Sequence, residues 1–328
     1  MAEKKLKVAV FSASGMNLAA AEGFAKHPKV EIVAVTEDDG AASDGSKEWA
    51  SNLNVPFMDF EDVLKIPGLQ VVSYTSDMSR RVQIAEQIAS SGINIFGDKP
   101  LTETVAEGDE IVNIVKKYGV KMAVGHNYRF EPSIRDAKVR LTDGDVGLPW
   151  AIHSDWIIAT GKKGAPIGET KIHGMYPLDA MLYLIPEKVI SVYAIAGSYF
   201  FENSKEAGVD DLSFITMNME RGIIATLALG RTPHPHPNGY GGDQTIRVMG
   251  THGMLYIDAN RPSWMSVGKS GSSNQKYHHD NIFHMIDHYV NSLLNDTEPM
   301  GTEKDARDTL EITLAALESV KYNRLITL

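Results

Sequence analysis

The chain contains no cysteine. That excludes a disulfide framework and any thiolate metal site, and it fits a reducing compartment. No run of about 18 apolar residues occurs, so no membrane span is expected. Met1 to Lys7 is charged and leads straight into a strand. Without an apolar core there, no export signal is expected and the reading is cytoplasmic. Basic excess is missing too: the net charge is −10 and the pI about 5.6. That argues against nucleic acid or an anionic membrane as partner. What is present is ordinary in bulk, 43% hydrophobic and 23% charged, as in a globular protein. A length of 328 residues exceeds one ordinary core, so two domains are expected.

The first 124 residues alternate short apolar runs with helical periodicity, the pattern of a parallel sheet. Strands are expected at Lys7–Phe11, Val30–Thr36, Val55–Phe57, Val71–Tyr74, Ile93–Phe96 and Lys121–Val124. Helices are expected at Met16–Lys26, Ser46–Leu53, Asp59–Leu64, Arg80–Ser90 and Val105–Tyr118, the last stopped by Gly119. From residue 125 strands dominate. Trp150–Ile158, Val189–Ala196, Leu212–Met219, Ile223–Gly230, Thr245–Met249 and Met254–Ile257 follow a helix at Ser133–Leu141. Several alternate apolar and polar residues, which predicts an antiparallel sheet with one covered face. Further helices are expected at Tyr176–Leu184, Asn281–Leu294 and Glu303–Tyr322. Ala159–Lys171, Thr232–Gly242 and Gly268–Tyr277 read as long polar loops. The expected division is a parallel-sheet domain over 1–124 and a strand-rich domain over 125–328.

Gly97-Asp98-Lys99-Pro100-Leu101 closes the apolar run Ile93-Asn94-Ile95-Phe96. The proline cannot donate a ladder hydrogen bond, so the strand stops there. Lys99 therefore stands at the carboxyl end of a parallel strand, where open α/β sheets place their ligands. The same lysine also reads as a solvated loop residue.

A nucleotide fold favours glycines between strand one and its helix. Ser12-Ala13-Ser14-Gly15-Met16-Asn17 stands there instead. Serine is small and its hydroxyl can bond phosphate, asparagine tolerates unusual backbone angles, and a helix N-terminus attracts anions. A plain strand–helix turn fits the segment as well. Glu37 ends strand two, 22 residues after Gly15, near the spacing at which an acid binds the adenosine ribose. Asp38 and Asp39 follow, and such a cluster repels a 2′-phosphate, favouring NAD over NADP. A solvated acidic turn is the plain alternative.

Taken together these segments resemble the glucose–fructose oxidoreductase/inositol dehydrogenase (Gfo/Idh/MocA) family along nearly the whole chain. Val71-Val72-Ser73-Tyr74-Thr75 with the Arg80 helix is similar to the family's third βα unit. Gly97-Asp98-Lys99-Pro100 resembles its Glu-Lys-Pro motif, with Asp for Glu. Gly125-His126-Asn127-Tyr128-Arg129-Phe130-Glu131-Pro132 resembles the start of its second domain. Gly144-Asp145-Val146-Gly147, Gly250-Thr251-His252-Gly253 and the ending from Phe283 through Ala315-Ala316-Leu317-Glu318-Ser319 also match. The resemblance implies α/β architecture: an N-terminal Rossmann doubly wound parallel sheet plus a C-terminal α+β domain with a large, mostly antiparallel sheet. It implies hydride transfer between NAD(H) and a sugar, polyol or keto-sugar carbon, in a homodimer or homotetramer.

The family's substrate helix carries an acid, a histidine four residues on, and a second acid after three more. In this chain those places hold Ile172, Tyr176 and Asp179. His173 is adjacent and is a candidate to compensate for the missing acid. The expected cofactor set is Ser12, Ser14, Gly15, Met16, Asn17, Glu37, Thr75, Asp98 and Lys99, and the expected catalytic pair is Lys99 and Tyr176. Lys99 would stabilise negative charge on the reacting oxygen, and Tyr176 would move the proton. A phenol titrates near ~10, and use as a base at neutrality costs about 4 kcal/mol, which a nearby ammonium offsets. A neutral phenol acting as an acid suits ketone reduction, toward which the loss at 172 leans. Substrate candidates are Arg129, Asp155, Trp156, His173 and Asp179, each with a structural alternative. His234-Pro235-His236-Pro237 is a candidate cover. His284 and His288 share a helix face without a third ligand, so no metal site is expected. Two rivals stay open: NAD-assisted glycoside hydrolysis, and a nucleotide- or sugar-sensing regulator on the same scaffold.

Overall fold

The computed structural model describes residues 5–37, 44–159, 161, 163–233, 241–268 and 271–328. Asp38, Asp39 and the His234–Pro237 segment lie outside the described residues. The chain divides into two compact units, Met1–His126 with Ile282–Leu310, and Asn127–Asn281 with Glu311–Leu328. Residues 282–310, counted with the second domain from the sequence, thus cluster with the first unit. No helix among the described residues is long and apolar enough to cross a membrane.

The first unit runs β1 (Leu6–Phe11), α1 (Gly15–Lys26), β2 (Val30–Thr36), α2 (Asp44–Leu53), α3 (Phe60–Val63), β3 (Leu69–Tyr74), α4 (Arg81–Ser90), β4 (Asn94–Gly97), α5 (Val105–Tyr118) and β5 (Met122–Val124). Its sheet is parallel throughout, in the order β2-β1-β3-β4-β5. The strands are apolar and nearly continuously buried, as a parallel sheet covered on both faces requires. Val55–Phe57, expected as a strand, makes only an isolated parallel bridge between Phe57 and Val35. Pro56 offers its carbonyl to Val35 N but has no N–H of its own to extend the ladder. The strand order reverses between β1 and β3, and that switch point marks the ligand crevice at the strands' carboxyl ends. Helix α5 begins on a capping box between Thr104 and Glu107 and stops at Gly119, as its sequence signals predict.

The second unit contains α6 (Pro132–Thr142), β6 (Pro149–Ala159), α7 (Glu169–His173), α8 (Met175–Leu184), β7 (Val189–Gly197), α9 (Glu202–Ala207), β8 (Leu212–Met219), β9 (Ile224–Thr232), β10 (Gly242–Gly250), β11 (Gly253–Asp258), β12 (Ser263–Gly268), β13 (Gly271–Lys276) and, near the end of the chain, β14 (Ile326–Thr327). They form one sheet, β13-β12-β11-β10-β6-β9-β8-β7-β14. Only β6 with β9 is a parallel pair in that order. One face carries the core, with Ile152, Trp156, Leu227 and Ile246 packed against Ile134 of α6 and Leu178 of α8. The alternate residues point to the opposite face, where Ile195, Phe214 and Ile224 are exposed. The stretch 268–277, read as a polar loop, instead pairs β12 with β13. Every residue of β13 is exposed, so no apolar alternation marks it in the sequence. Helices α7 and α9 were not expected either; α7 occupies the end of the 159–171 stretch.

Two helices remain, α10 (Asn281–Leu294) and α11 (Glu303–Tyr322). Within the first unit, Tyr289 of α10 packs edge-on to Phe24 and Phe96, with ring centroids 6.2 and 5.4 Å away. Its hydroxyl donates to Ile95 O at 2.9 Å.

Candidate functional site

The turn from β1 into α1 puts Ser12, Ser14 and Asn17 where a dinucleotide fingerprint places its three glycines. Ser12 adopts φ 62°, the left-handed conformation the first glycine normally supplies. Its hydroxyl lies 2.9 Å from Ser14 Oγ, and its amide donates to Thr36 O at 2.9 Å. Asn17, expected beside the cofactor, turns its side chain into the turn itself. Its side chain is buried: Nδ2 donates to Phe11 O (3.0 Å) and Ser12 O (2.7 Å), and Oδ1 accepts from Ser73 Oγ (2.7 Å). This side chain braces the turn against β3. Ser14 stands at the N-cap of α1 with no side-chain hydrogen bond to the helix amides, and the first turn holds no acid. Gly15 has φ +52° and open space where a side chain would stand. An uncapped, acid-free helix start behind a small residue fits a pyrophosphate.

Glu37 lines a cavity of about 310 Å³ together with Phe11, Phe60, Arg80 and the acids Asp59 and Asp62. Phe11 and Phe60 meet edge-on with centroids 4.8 Å apart. The two rings make an apolar wall beside β2, and the acids together with Arg80 form its rim.

Beyond β4, the loop carrying Lys99 is tied on every side. Asp98 accepts from Lys99 N (2.7 Å) and from Thr75 Oγ1 (3.2 Å). Arg81, buried at the start of α4, donates to Asp98 O (2.7 Å), Pro100 O, Ser76 O (3.4 Å) and Thr75 Oγ1 (3.3 Å). The Lys99–Pro100 peptide bond is cis. Thr75, Asp98 and Lys99 are therefore gathered in one place, and Arg81 is the residue the sequence did not reveal. Its signal was indirect: Arg80-Arg81 opens a helix, where the dipole disfavours cations and a buried partner must compensate.

In the second unit α7 and α8 are divided at Gly174, where a Cβ would fall 2.5 Å from Thr170 O. Tyr176 is buried, its ring 5.4 Å from Tyr128 and 6.2 Å from His173. Tyr128 donates to Gln244 Oε1 at 3.0 Å, and burial pushes its phenol up to about 12. His173 Nδ1 lies 2.6 Å from Glu169 Oε2. Glu169 is wholly buried, and its Oε1 accepts from Arg231 Nε (2.7 Å) and Ala165 N (2.9 Å). Burial alone would raise this carboxyl, but His173 and Arg231 hold it below its ordinary value. Glu169 and Arg231 were not anticipated. The glutamate stood in a stretch read as loop, and its partner is 62 residues away.

Four of the substrate candidates are engaged by neighbouring side chains. Trp156 is fully buried, edge-on to Tyr128 with centroids 4.6 Å apart, so its face is not open to a sugar. Asp155, its neighbour on β6, points to the other face, and side chains alternate along a strand. There it meets His153 (3.1 Å) and Arg247 (3.2 Å). Arg129 and Asp179 are both buried and bind one another, Nε donating to Oδ2 at 2.9 Å. That pair anchors α8 one turn beyond Tyr176.

Residues 6–126 match the model of an oxidoreductase family with an NAD-binding Rossmann fold, and residues 135–256 match the GFO/IDH/MocA C-terminal domain. The chain is 24% identical over 312 residues to an uncharacterised oxidoreductase, YrbE, of Bacillus subtilis, covering 92% of this chain and 88% of that one. It is 26% identical over 295 residues to the scyllo-inositol 2-dehydrogenase (NAD(+)) of the same organism, covering 84% and 81%. Its fold is similar to that of scyllo-inositol dehydrogenase from Lactobacillus casei, solved with NAD(H) and scyllo-inositol. The TM-score is 0.83 at 19% identity, with 99% of each chain covered.

Proposed function

The chain belongs to the GFO/IDH/MocA family of NAD-binding oxidoreductases, and from that premise we propose that it moves a hydride between NAD(H) and a sugar, polyol or keto-sugar carbon. The inositol dehydrogenase among its relatives supports a polyol. The observation that carries the reading is the anchored Lys99 loop. Arg81 and Asp98 fix the backbone on both sides of the lysine at the carboxyl end of β4.

When bound, the nicotinamide supplies the hydride chemistry; the protein's part is to position and to handle charge and protons. Ser12, Ser14, Gly15 and Met16 would cradle the pyrophosphate and Glu37 the adenosine ribose, with NAD preferred over NADP. Thr75 and Asp98 hold the loop. Lys99 would stabilise negative charge on the reacting oxygen, and Tyr176 would hydrogen-bond that oxygen and pass its proton. The apolar sheet face carrying Ile195 and Phe214 supports self-association as a dimer or tetramer.

The test is calorimetric titration with NAD and NADP, followed by a screen of sugars, polyols and keto-sugars with NAD and NADH, read at the nicotinamide absorbance. Binding of NAD with net turnover of cofactor is expected. Absence of binding at millimolar concentration would favour a regulator. Binding with substrate cleavage and no net cofactor consumption would favour the hydrolase.

A further inference from the structure

We propose that the cavity between two interlocked turns of the second unit and the β12–β13 ladder binds a neutral polyhydroxylated compound of monosaccharide or disaccharide size. The turns are Gly144-Asp145-Val146-Gly147 and Gly250-Thr251-His252-Gly253, and the proposed hydride transfer uses neither. None of the residues placed in that reaction lines the cavity. Side-chain size opens it. Trp264, Ser266 and Gly268 alternate along one face of β12 and pair with Gln275, Ser273 and Gly271 of β13. Bulk falls away from an indole through hydroxymethyl groups to bare glycine, and the space left is about 480 Å³, enough for a small ligand. Every residue of β13 is exposed, so that strand adds nothing to the core; Gly271, Ser272 and Ser273 instead wall the cavity.

The walls are fixed in advance. A Cβ on Gly147 would fall 2.4 Å from Thr251 Oγ1 and 3.0 Å from the His252 ring, so the two turns are in direct contact. His252 N donates to Val146 O at 2.9 Å, and Asp145 N to Arg140 O at 3.1 Å. The Cζ of Arg140 stands 4.2 Å from the centre of the Trp264 ring, and its Nη1 donates to Asp145 Oδ2 at 3.1 Å. Across the ladder, the hydroxyl oxygens of Ser266 and Ser273 are 2.9 Å apart. Groups held in this way lose little freedom when a ligand arrives.

The lining selects the ligand. No apolar side chain reaches the cavity, which disfavours a hydrophobic guest. Asp143 and Asp145 stand beside a single guanidinium, that of Arg140, so an anion meets net negative charge. Among the described residues no three His, Asp or Glu side chains come together as metal ligands. An organic ammonium needs acceptors alone, whereas this wall mixes donors with acceptors. Arg140 donates, the aspartates accept, and the serine hydroxyls do both. The hydroxyls of a sugar or polyol also donate and accept, and bonds to the charged groups are the stronger ones.

The test is histidine-ring NMR of the full chain without cofactor, titrated in turn with myo-inositol, glucose and maltose. His252 lines the cavity, and His252→Gln identifies its resonance by loss. At least one of the three compounds should move that resonance along a saturating curve, with half-saturation on the order of 1 mM. Ser273→Phe, which fills the space, should abolish the movement. Asp143→Asn should raise the half-saturating concentration about tenfold, the worth of a hydrogen bond to a charged group. A resonance that stays still, or drifts without saturating, with all three compounds would overturn the proposal. An unchanged midpoint in either variant, or an equal shift with putrescine, would do the same. If Ser273→Phe fails to fold, Asp143→Asn, a near-isosteric change at an exposed position, decides. The titration contains no nicotinamide, so its outcome is read separately from that of the NAD titration.

Discussion

Arg81 donates from Nη1 to the carbonyl oxygen of Asp98 at 2.7 Å, and the same guanidinium reaches Pro100 O. It thus grips the main chain immediately before and after Lys99. A lysine on a long flexible stem is a poorly aimed charge unless its backbone is fixed, and this buried fork fixes it.

Arg81→Ala is expected to lower kcat/KM on the order of 10²-fold, the cost of a misplaced catalytic group. It should also destabilise the fold by about 2–3 kcal/mol through buried carbonyls left without a donor. Arg81→Lys should recover part of the stability and little of the rate, because an ammonium cannot span both carbonyls. Steady-state kinetics beside urea unfolding would check this; wild-type turnover in Arg81→Ala would refute it.

Glu37→Ser should weaken NAD binding roughly tenfold or more, the worth of a hydrogen bond to a charged acceptor. NADP should gain relative to NAD. Parallel calorimetric titrations read both changes, and an unaltered NAD/NADP ratio would remove Glu37 from the ribose site.

Asp179→Asn strands the Arg129 guanidinium in the core and should cost about 3–5 kcal/mol. Arg129→Met combined with Asp179→Leu should cost less than that single change, because the buried charge goes with its partner. Denaturant unfolding of Arg129→Met, Asp179→Leu and the double variant measures the coupling, and strictly additive losses would contradict it.

His279 Nδ1 lies 2.8 Å from the carboxylate of Glu131, and this hydrogen bond raises the imidazole above its ordinary 6.5, with burial opposing. A pKa raised by folding stabilises the native state below the unfolded value, and that stabilisation is lost as pH rises through the folded one. Unfolding free energy should therefore decline from pH 6.5 upward. His279→Gln should flatten that decline. Urea midpoints across a pH series give the answer, and identical slopes in the two proteins would dismiss the pair.

Phe214 and Ile195 sit opposite one another on β8 and β7, each 58% exposed. Replacing both by Asp should lower the particle mass measured by light scattering while leaving the melting temperature nearly unchanged. A wild-type chain that is already monomeric would refute self-association through this face.

The parts of the fold written in local signals were legible. The capping box at Thr104 and the stop at Gly119 delimit α5 to the residue. The buried strands of the parallel sheet are unmistakable as apolar runs. What escaped was non-local. Strand β13 carries no apolar residue facing a core, so only its pairing with β12 makes it a strand. Asn17 was read as part of the cofactor loop, and nothing in the sequence says that Ser73, 56 residues on, would take its side chain. Trp156 and Asp155 were read together, although adjacent strand positions face opposite ways. The Glu169 carboxylate and Arg81 guanidinium acquire meaning only when distant backbone and side chains close around them.

The return of residues 282–310 to the first unit has a practical consequence for dissecting the molecule. A fragment stopped at residue 126 would lack Tyr289, and the rings of Phe24 and Phe96 would lose their shared partner. Such a piece should expose apolar surface and clump rather than serve as a portable cofactor module. Anyone transplanting that half into another protein must carry a discontinuous second segment with it, spliced on by a designed linker.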